Sequence, residues 1–502
     1  MADDKKRSLK LNIAASMLIQ VVSLLVNLIS KRAIRMYLGV EYLGIQSIYS
    51  NFCDVMSFAF LGMGTAMLFS MYGAFARDNK EEIASYYQHY DSLYRKISRL
   101  VFAGGVVCTF LALYSVNGEA GAFEVCITFL TYLLSIVLYN RQLVRSYFIQ
   151  ADQRRYVAAF LTGGVDAIAL LAEIFILYTF RSYEVFLVCI LAKNLLINVL
   201  FKKYLQKNYA YIFEPAQELD EKEQALVAAN AKDMVLYRFG KVLISNTDSI
   251  FISRFTSTLL VGIYSNYQFV IMGIRSVLGA MFEAVRGKVG YQLQTGSLRE
   301  QYRNFRIYLC INSWLMGCTI VCFYFLIEDF IRVWMGKVDS LTQSVIMIML
   351  VNYYLDESQN ALRLYRETAG LFHNIRTMIL IKGVANIILS VILGKFWGIM
   401  GVLVATTITS AFTLFWYEPR IVYGYFPKSV KNEVLYHVVT ISLLAISFAI
   451  TYAAVRSMQG AGFLFLIRKL GVCLVTSNMV YAFLAVIWMV KKSRNFPHGF
   501  RL

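Results

Sequence analysis

Proline is scarce: four in 502 residues, Pro215, Pro419, Pro427 and Pro497, all read as connections or tail. Proline kinks are therefore unavailable to any helix, leaving glycine pairs such as Gly62 and Gly64 or Gly163 and Gly164 as hinge candidates. Charge is scarce too, at 16% of residues, too little to clothe a soluble protein this size. No G-x-x-x-x-G-K-[S/T] loop, nucleophile elbow or zinc-ligand pair occurs, which argues against an ATPase, a hydrolase or a zinc enzyme. Outward loops are short, the longest about a dozen residues, so the folded catalytic loop of a membrane polymerase or glycosyltransferase has nowhere to sit. The first apolar run lacks a small-residue cleavage site and reads as a retained helix. The eight cysteines all fall in expected spans. Cys318 and Cys322, one turn apart without a His or third Cys nearby, suit packing and not metal, and the four histidines are scattered.

What is present is apolar. Hydrophobic residues make up 58% of the chain, mean hydropathy is +0.56, and runs of roughly 20 apolar residues recur throughout. They predict an all-α integral membrane protein of about 14 transmembrane helices. The expected spans are 11–30, 44–76, 98–116, 122–140, 157–180, 184–203, 236–256, 259–284, 306–327, 341–361, 376–395, 398–418, 434–455 and 464–490. With the N-terminus cytoplasmic, 34 of the 49 Lys and Arg fall in inside segments, which predicts that both termini are cytoplasmic. The net charge of +18 is then a topology signal and a contact for anionic lipid, not a nucleic-acid footprint.

A six-helix block occurs twice, in register at an offset of 218 residues. Leu43-Gly44-Ile45-Gln46-Ser47-Ile48-Tyr49 returns as Val261-Gly262-Ile263-Tyr264-Ser265-Asn266-Tyr267. Arg145, Tyr147 and Ala151 return as Arg363, Tyr365 and Ala369, and Gly164-Val165 returns as Gly383-Val384 after one inserted residue. An even number of spans per copy makes the copies parallel, so the expected plan is two lobes around a central cavity, as in secondary transporters. The divisions read as 1–204 (first lobe), 205–235 (cytoplasmic linker), 236–425 (second lobe) and 426–502 (two extra helices and a cytoplasmic tail).

Polar residues within spans are costly in lipid and mark the candidate site. Arg238, Lys241, Ser245 and Asp248 share a helix face, and subtracting 218 gives Gln20, Ser23, Asn27 and Ser30, polar but uncharged. Gln46, Ser50, Asp54 and Ser57 correspond to Tyr264, Gln268, Met272 and Arg275; Asn352, Asp356, Gln359 and Arg363 form a further stripe. This predicts a wet cavity, net basic on the second-lobe side, suited to an anionic headgroup such as a pyrophosphate. Four of the cations also have a structural reading: Arg238 as the end of its span, Lys241 in an ion pair with Asp248, and Arg145 and Arg363 as helix-end residues; Arg275 lies deepest in its span and is least easily read that way. Asp166 and Glu173 share a face and suit either a cation or proton, or a buried pair with Lys193.

Four segments carry a family resemblance. Arg35-Met36-Tyr37-Leu38-Gly39-Val40-Glu41-Tyr42-Leu43-Gly44, Phe330-Ile331-Arg332-Val333-Trp334-Met335-Gly336, Arg366-Glu367-Thr368-Ala369-Gly370-Leu371-Phe372 and Trp397-Gly398-Ile399-Met400-Gly401-Val402 stand in the order of the polysaccharide flippases. The chain thus resembles the Wzx-type oligosaccharide-lipid flippases of the multidrug/oligosaccharidyl-lipid/polysaccharide exporter superfamily. The resemblance implies alternating-access movement of undecaprenyl-pyrophosphate-linked oligosaccharide to the outer leaflet of a bacterial plasma membrane. Arg35 matches a basic position that relatives often have near the end of the first helix; with it, the polar stripes make Arg145, Arg238, Lys241, Arg275 and Arg363 the expected substrate contacts, and Gln20, Ser23, Asn27, Asp54, Ser245, Asp248, Gln268 and Asp356 the expected cavity lining. No cofactor is expected; Na⁺ or a proton is the coupling ion, with Asp166 and Glu173 as candidates, and membrane lipids and polysaccharide assembly proteins are the partners. Lipid II flippase, cation-coupled multidrug exporter and membrane polymerase or glycosyltransferase are the alternatives. Multidrug exporters of the superfamily often bend the first helix at a proline that this chain lacks.

Overall fold

Lipid offers the backbone no hydrogen bonds, so long apolar runs with so little proline must close their own as helices. The computed structural model describes residues 22–117, 121–152, 154–220, 224, 247–295, 297–336, 339–369, 371, 373–426 and 431–494, and no strand occurs among them. The helices are α1 (22–37), α2 (Val40–Ala76), α3 (Lys80–Ser115), α4 (Ala122–Ala151), α5 (Arg155–Phe180) and α6 (Tyr183–Asn208), followed by a 3₁₀ turn at Ala210–Phe213. Then come α7 (Asp248–Phe255), α8 (Thr258–Thr295), α9 (Leu298–Met335), α10 (Gln343–Glu357) and α11 (Asn360–Thr368). The chain continues with α12 (His373–Phe412), α13 (Leu414–Tyr425), α14 (Lys431–Val455) and α15 (Phe463–Arg494). Eight helical stretches among the described residues are long and apolar enough to cross a membrane, including the joined stretch Thr377–Tyr425. The protein is an all-α, multi-pass membrane protein.

The repeat is visible in the backbone. A break at Leu38 and Gly39 separates α1 from α2, and one at Thr256 and Ser257, 218 residues on, separates α7 from α8. Gly39, at φ +107°, adopts a conformation that an L side chain rarely takes. Just beyond the breaks the first turns of α2 and α8 cross at paired glycines. A side chain at Gly44 would strike the carbonyl of Thr258, and one at Gly262 would strike the carbonyl of Val40. Val40 and Thr258 are themselves repeat counterparts, so the crossing is reciprocal, and small residues let the two backbones meet.

Contacts divide the chain into two compact units, Met1–Ser265 and Asn266–Leu502, a boundary inside α8 and not in the 205–235 connection. In the first unit, Tyr87 and Tyr209 pack edge-on against Phe148 at 5.2 and 5.1 Å between centroids. The Tyr209 hydroxyl donates to Asp152 at 2.5 Å; burial and that carboxylate raise its pKa. In the second unit Phe305, the counterpart of Tyr87, packs against Tyr365 and Phe426 at 5.1 and 5.3 Å.

Two features of the second unit position the site. At Gly398 (φ +57°, ψ −133°), α12 folds back on itself, and its arms approach so closely that a side chain at Gly401 would meet the carbonyl of Leu393. Pro419 lies inside α13, contrary to the expectation that all four prolines sit in connections or the tail. The helix restarts after Thr413, so the sixth residue of a new helix, and not the end of a span, carries the proline. The extra helices α14 and α15 pack on α9 through polar contacts: Ser313 to Thr440 at 3.0 Å, Trp314 to Asn478 at 2.8 Å and Lys469 to Asp329 at 2.6 Å.

Candidate functional site

The site is built on a helix break. α10 ends at Glu357, Ser358 and Gln359 turn, and α11 resumes at Asn360. Such a break frees carbonyls that lipid cannot satisfy. Here Asn312 of α9, 1% exposed, donates to the carbonyls of Glu357 (2.9 Å) and Ser358 (3.0 Å). Arg363 donates to the carbonyl of Asp356 at 2.5 Å.

Charged side chains gather around the break. Arg363 binds the Asp356 carboxylate at 2.8 Å and the Asn360 side-chain oxygen at 2.8 Å. Arg275 of α8 lies 3.4 Å from Asp356 and 3.2 Å from Glu357. Arg286, eleven residues further along α8 and so on the same face three turns away, reaches Glu367 at 2.8 Å. Arg366, only 1% exposed, lies between Glu367 (3.4 Å) and Glu418 of α13 (3.2 Å). The two α8 arginines thus tie that helix to both sides of the break.

Lys382, on the first arm of α12, completes the cluster. It is 6% exposed and makes no ion pair or hydrogen bond among the described residues. Five cations (Arg275, Arg286, Arg363, Arg366, Lys382) therefore face four carboxylates (Asp356, Glu357, Glu367, Glu418), and Lys382 is the excess. Asp356, Gln359, Arg363, Lys382, Ser410 and Glu418 line a small cavity of about 20 Å³, room for about one water, walled by Leu355, Leu414 and Phe415. Both polar side-chain atoms of Gln359, 4% exposed, are buried there without a hydrogen-bond partner among the described residues. The cavity lining itself is balanced, two carboxylates against two cations, where the sequence led us to expect a net basic surface. A polar seam runs on from it: Asn386, one turn beyond Lys382, donates to Thr406 at 3.0 Å, and Asn352 of α10 donates to the Leu403 carbonyl at 3.0 Å.

The other expected residues are dispersed. Arg35 is in the last turn of α1, its carbonyl accepting from the Gly39 amide at 3.2 Å. Asn27 donates to the Ser23 carbonyl at 2.8 Å, and Ser50 donates to Asp54 at 3.4 Å. Arg145 binds the backbone and side-chain oxygens of Asn198, each at 3.0 Å. Lys193 sits 3.4 Å from both Asp166 and Glu173, and Ser30 donates to Glu173 at 3.0 Å. Asp248 opens α7 and Gln268 lies on α8. Gln20, Arg238, Lys241 and Ser245 lie outside the described residues.

Sequence reasoning missed Glu357, Arg366, Lys382 and Glu418. The four-residue spacing of Lys382, Asn386 and Ser390 was the available sign of a buried polar face. Arg366 stood within a motif read for its resemblance alone.

No family model matches the chain, and no curated sequence does. Solved structures do. "Lipid II flippase MurJ, inward closed conformation" is similar at TM-score 0.66 and 13% identity, covering 96% of this chain and 99% of its own. "Inward-facing conformation of a multidrug resistance MATE family transporter of the MOP superfamily" gives TM-score 0.65 and 13% identity, covering 82% of this chain and 97% of its own. A MOP superfamily transporter from Pyrococcus furiosus, described as having a binding pocket of reverse polarity, gives 0.58 and 12%, covering 85% and 97%. Identities this low speak for architecture alone: the chain has the fold of the MOP-superfamily transporters.

Proposed function

We propose that this protein is a flippase. It moves polyprenyl-pyrophosphate-linked oligosaccharide from the inner to the outer leaflet of a bacterial plasma membrane by alternating access, and supplies cell-surface polysaccharide synthesis. The observation that carries the reading is the charged cluster at the break between α10 and α11, set in a transporter fold. Charge held at membrane depth is expensive, and Lys382 has no ion-pair partner among the described residues to offset it, which suits a substrate with a polar, phosphorylated head. The lipid II flippase structure covers 96% of this chain and the MATE transporter 82%, which favours a lipid-linked substrate over a drug. The same coverage supports lipid II itself as a second reading. In this proposal an ion gradient, Na⁺ or proton, drives transport, and both termini are cytoplasmic.

The test is reconstitution in vesicles with lipid-linked oligosaccharide on one leaflet. Wild type should expose the sugar to an outside lectin, and Arg363→Ala should slow this at least tenfold while protein remains in the vesicles. Export of ethidium in exchange for Na⁺ or protons would replace the flippase reading with a drug exporter, and glycan elongation would replace it with a polymerase. Faster movement of lipid II than of the oligosaccharide lipid would choose the second reading.

A further inference from the structure

We infer that Glu433 and His437, on the first two turns of α14, form a proton-binding site, and that the proton exchanged there is the ion that drives transport. The second half of the inference rests on the flippase reading; the site itself does not. It takes the coupling ion away from Asp166 and Glu173, where Lys193 already lies 3.4 Å from both carboxylates.

Glu433 is 0% exposed, and neither of its carboxylate oxygens accepts a hydrogen bond among the described residues. His437, one helical turn on and 5% exposed, brings Nε2 to 3.2 Å and is the sole ion-pair partner of Glu433 among those residues. A bare carboxylate in such a place is costly, and a proton shared with His437 removes the net charge. The titratable groups around the pair are phenols: Tyr354 from α10, Tyr423 from α13 and Tyr436 from α14 itself, with Tyr481 of α15 beyond Tyr354. From α9 comes neutral Asn312, beside Tyr436.

The state of the proton reaches the helix break through Tyr354, whose hydroxyl lies 2.8 Å from His437 Nδ1. With His437 neutral and its Nε2–H toward Glu433, Nδ1 accepts and Tyr354 donates. With His437 protonated, both ring nitrogens donate and Tyr354 must accept. One proton, taken from water and returned to it, therefore reverses a hydrogen bond to α10 two residues before Asp356. A second route runs through Tyr436. Its hydroxyl has no hydrogen bond among the described residues and lies beside Asn312, which holds the carbonyls of Glu357 and Ser358.

The full-length protein in vesicles should flip lipid-linked oligosaccharide at least fivefold faster under an imposed pH gradient than without one. That ratio should fall to near one in Glu433→Gln and in His437→Gln. Tyr354→Phe, which keeps the ring and gives up the hydrogen bond, should lower it at least twofold, and decides the matter if the changes in α14 lower the unfolding temperature. Infrared difference spectra between acid and alkaline buffer need no transport. They should show a carboxylic-acid carbonyl band that Glu433→Gln removes. Wild-type flipping that answers to a Na⁺ gradient and not to pH, or a response lost in Asp166→Asn and kept in Glu433→Gln, would overturn the coupling. Absence of the band, or a band unchanged in Glu433→Gln, would overturn the site. A band that depends on Glu433, in a protein that moves no lipid, supports the site and overturns the flippase.

Discussion

The same stretch of the repeat is one unbroken helix in the first unit, α4, and two helices in the second, α10 and α11. At matching positions the chemistry diverges in step with the backbone. Ser57 accepts from Asn140 at 2.7 Å in the first unit, while its counterpart Arg275 pairs with Asp356 and Glu357. Phe148 is a buried ring among rings, while its counterpart Arg366 is a buried cation between carboxylates. Tyr94 donates to the Phe60 carbonyl at 3.0 Å, while its counterpart Asn312 donates to the carbonyls freed by the break. The repeated helix plan tolerates either solution, provided each unit satisfies the polar groups it buries. The copy that carries the charged cluster is the one whose helix is broken.

The comparison breaks most sharply at Phe148 and Arg366. Phe148→Ala should cost about 3–5 kcal/mol by cavity formation, and Arg366→Ala a similar ~3–5 kcal/mol by removing a buried counter-charge from the Glu367 and Glu418 carboxylates. The rescues differ. Removing both charges in Arg366→Met with Glu418→Met should restore most of the stability, whereas no polar substitution should rescue Phe148→Ala. Thermal unfolding in detergent measures this, and an Arg366→Ala protein as stable as wild type would refute the buried ion network.

The glycine crossing comes next, because there the two copies of the repeat are alike. Gly44→Val and Gly262→Val should each cost about 1–3 kcal/mol through overpacking. Since both act on one contact, the double variant should cost less than the two combined. Full additivity would mean that the two glycines do not meet. Slightly smaller is the effect at the break: Asn312→Ala strands two carbonyls for about 1–2 kcal/mol, while Tyr94→Phe gives up a single hydrogen bond for about 1 kcal/mol. Amide hydrogen exchange should quicken at 358–363 in the Asn312 variant and stay unchanged there in the Tyr94 variant.

Much of this was legible because helices in lipid leave plain periodicities. The apolar runs gave the class, and the 218-residue offset returns in the backbone as matching breaks at 38–39 and 256–257. The stripe of Asp356, Gln359 and Arg363 pointed to residues that the structure gathers around one cavity. What escaped was whatever depends on the third dimension. Lys382 and Glu418 reach the cavity only because Gly398 folds α12 back and Thr413 restarts the helix before Pro419. No spacing along the chain brings Glu418 to Arg366. The break at Ser358 was hidden too, since both of its residues keep near-helical angles and no proline or glycine marks it.

The gentlest prediction separates two arginines that the repeat makes equivalent. Arg145 holds neutral Asn198, so Arg145→Gln keeps a donor for that partner and should change stability by no more than about 1 kcal/mol. Arg363 holds Asp356, which is 40% exposed, so solvent screens part of the loss and Arg363→Gln should cost only about 1–2 kcal/mol. Function should not follow stability. Losing Arg363 shifts the cluster one charge toward negative, beside the cavity, and forfeits a charge-assisted contact worth about 1.5–3 kcal/mol, or roughly 10- to 100-fold in transport rate. Losing Arg145 strands no carboxylate, and transport should stay within about threefold, under 1 kcal/mol. Equal transport defects in the two variants would mean that the first unit also meets the headgroup at Arg145, and that the asymmetry of charge has no counterpart in function.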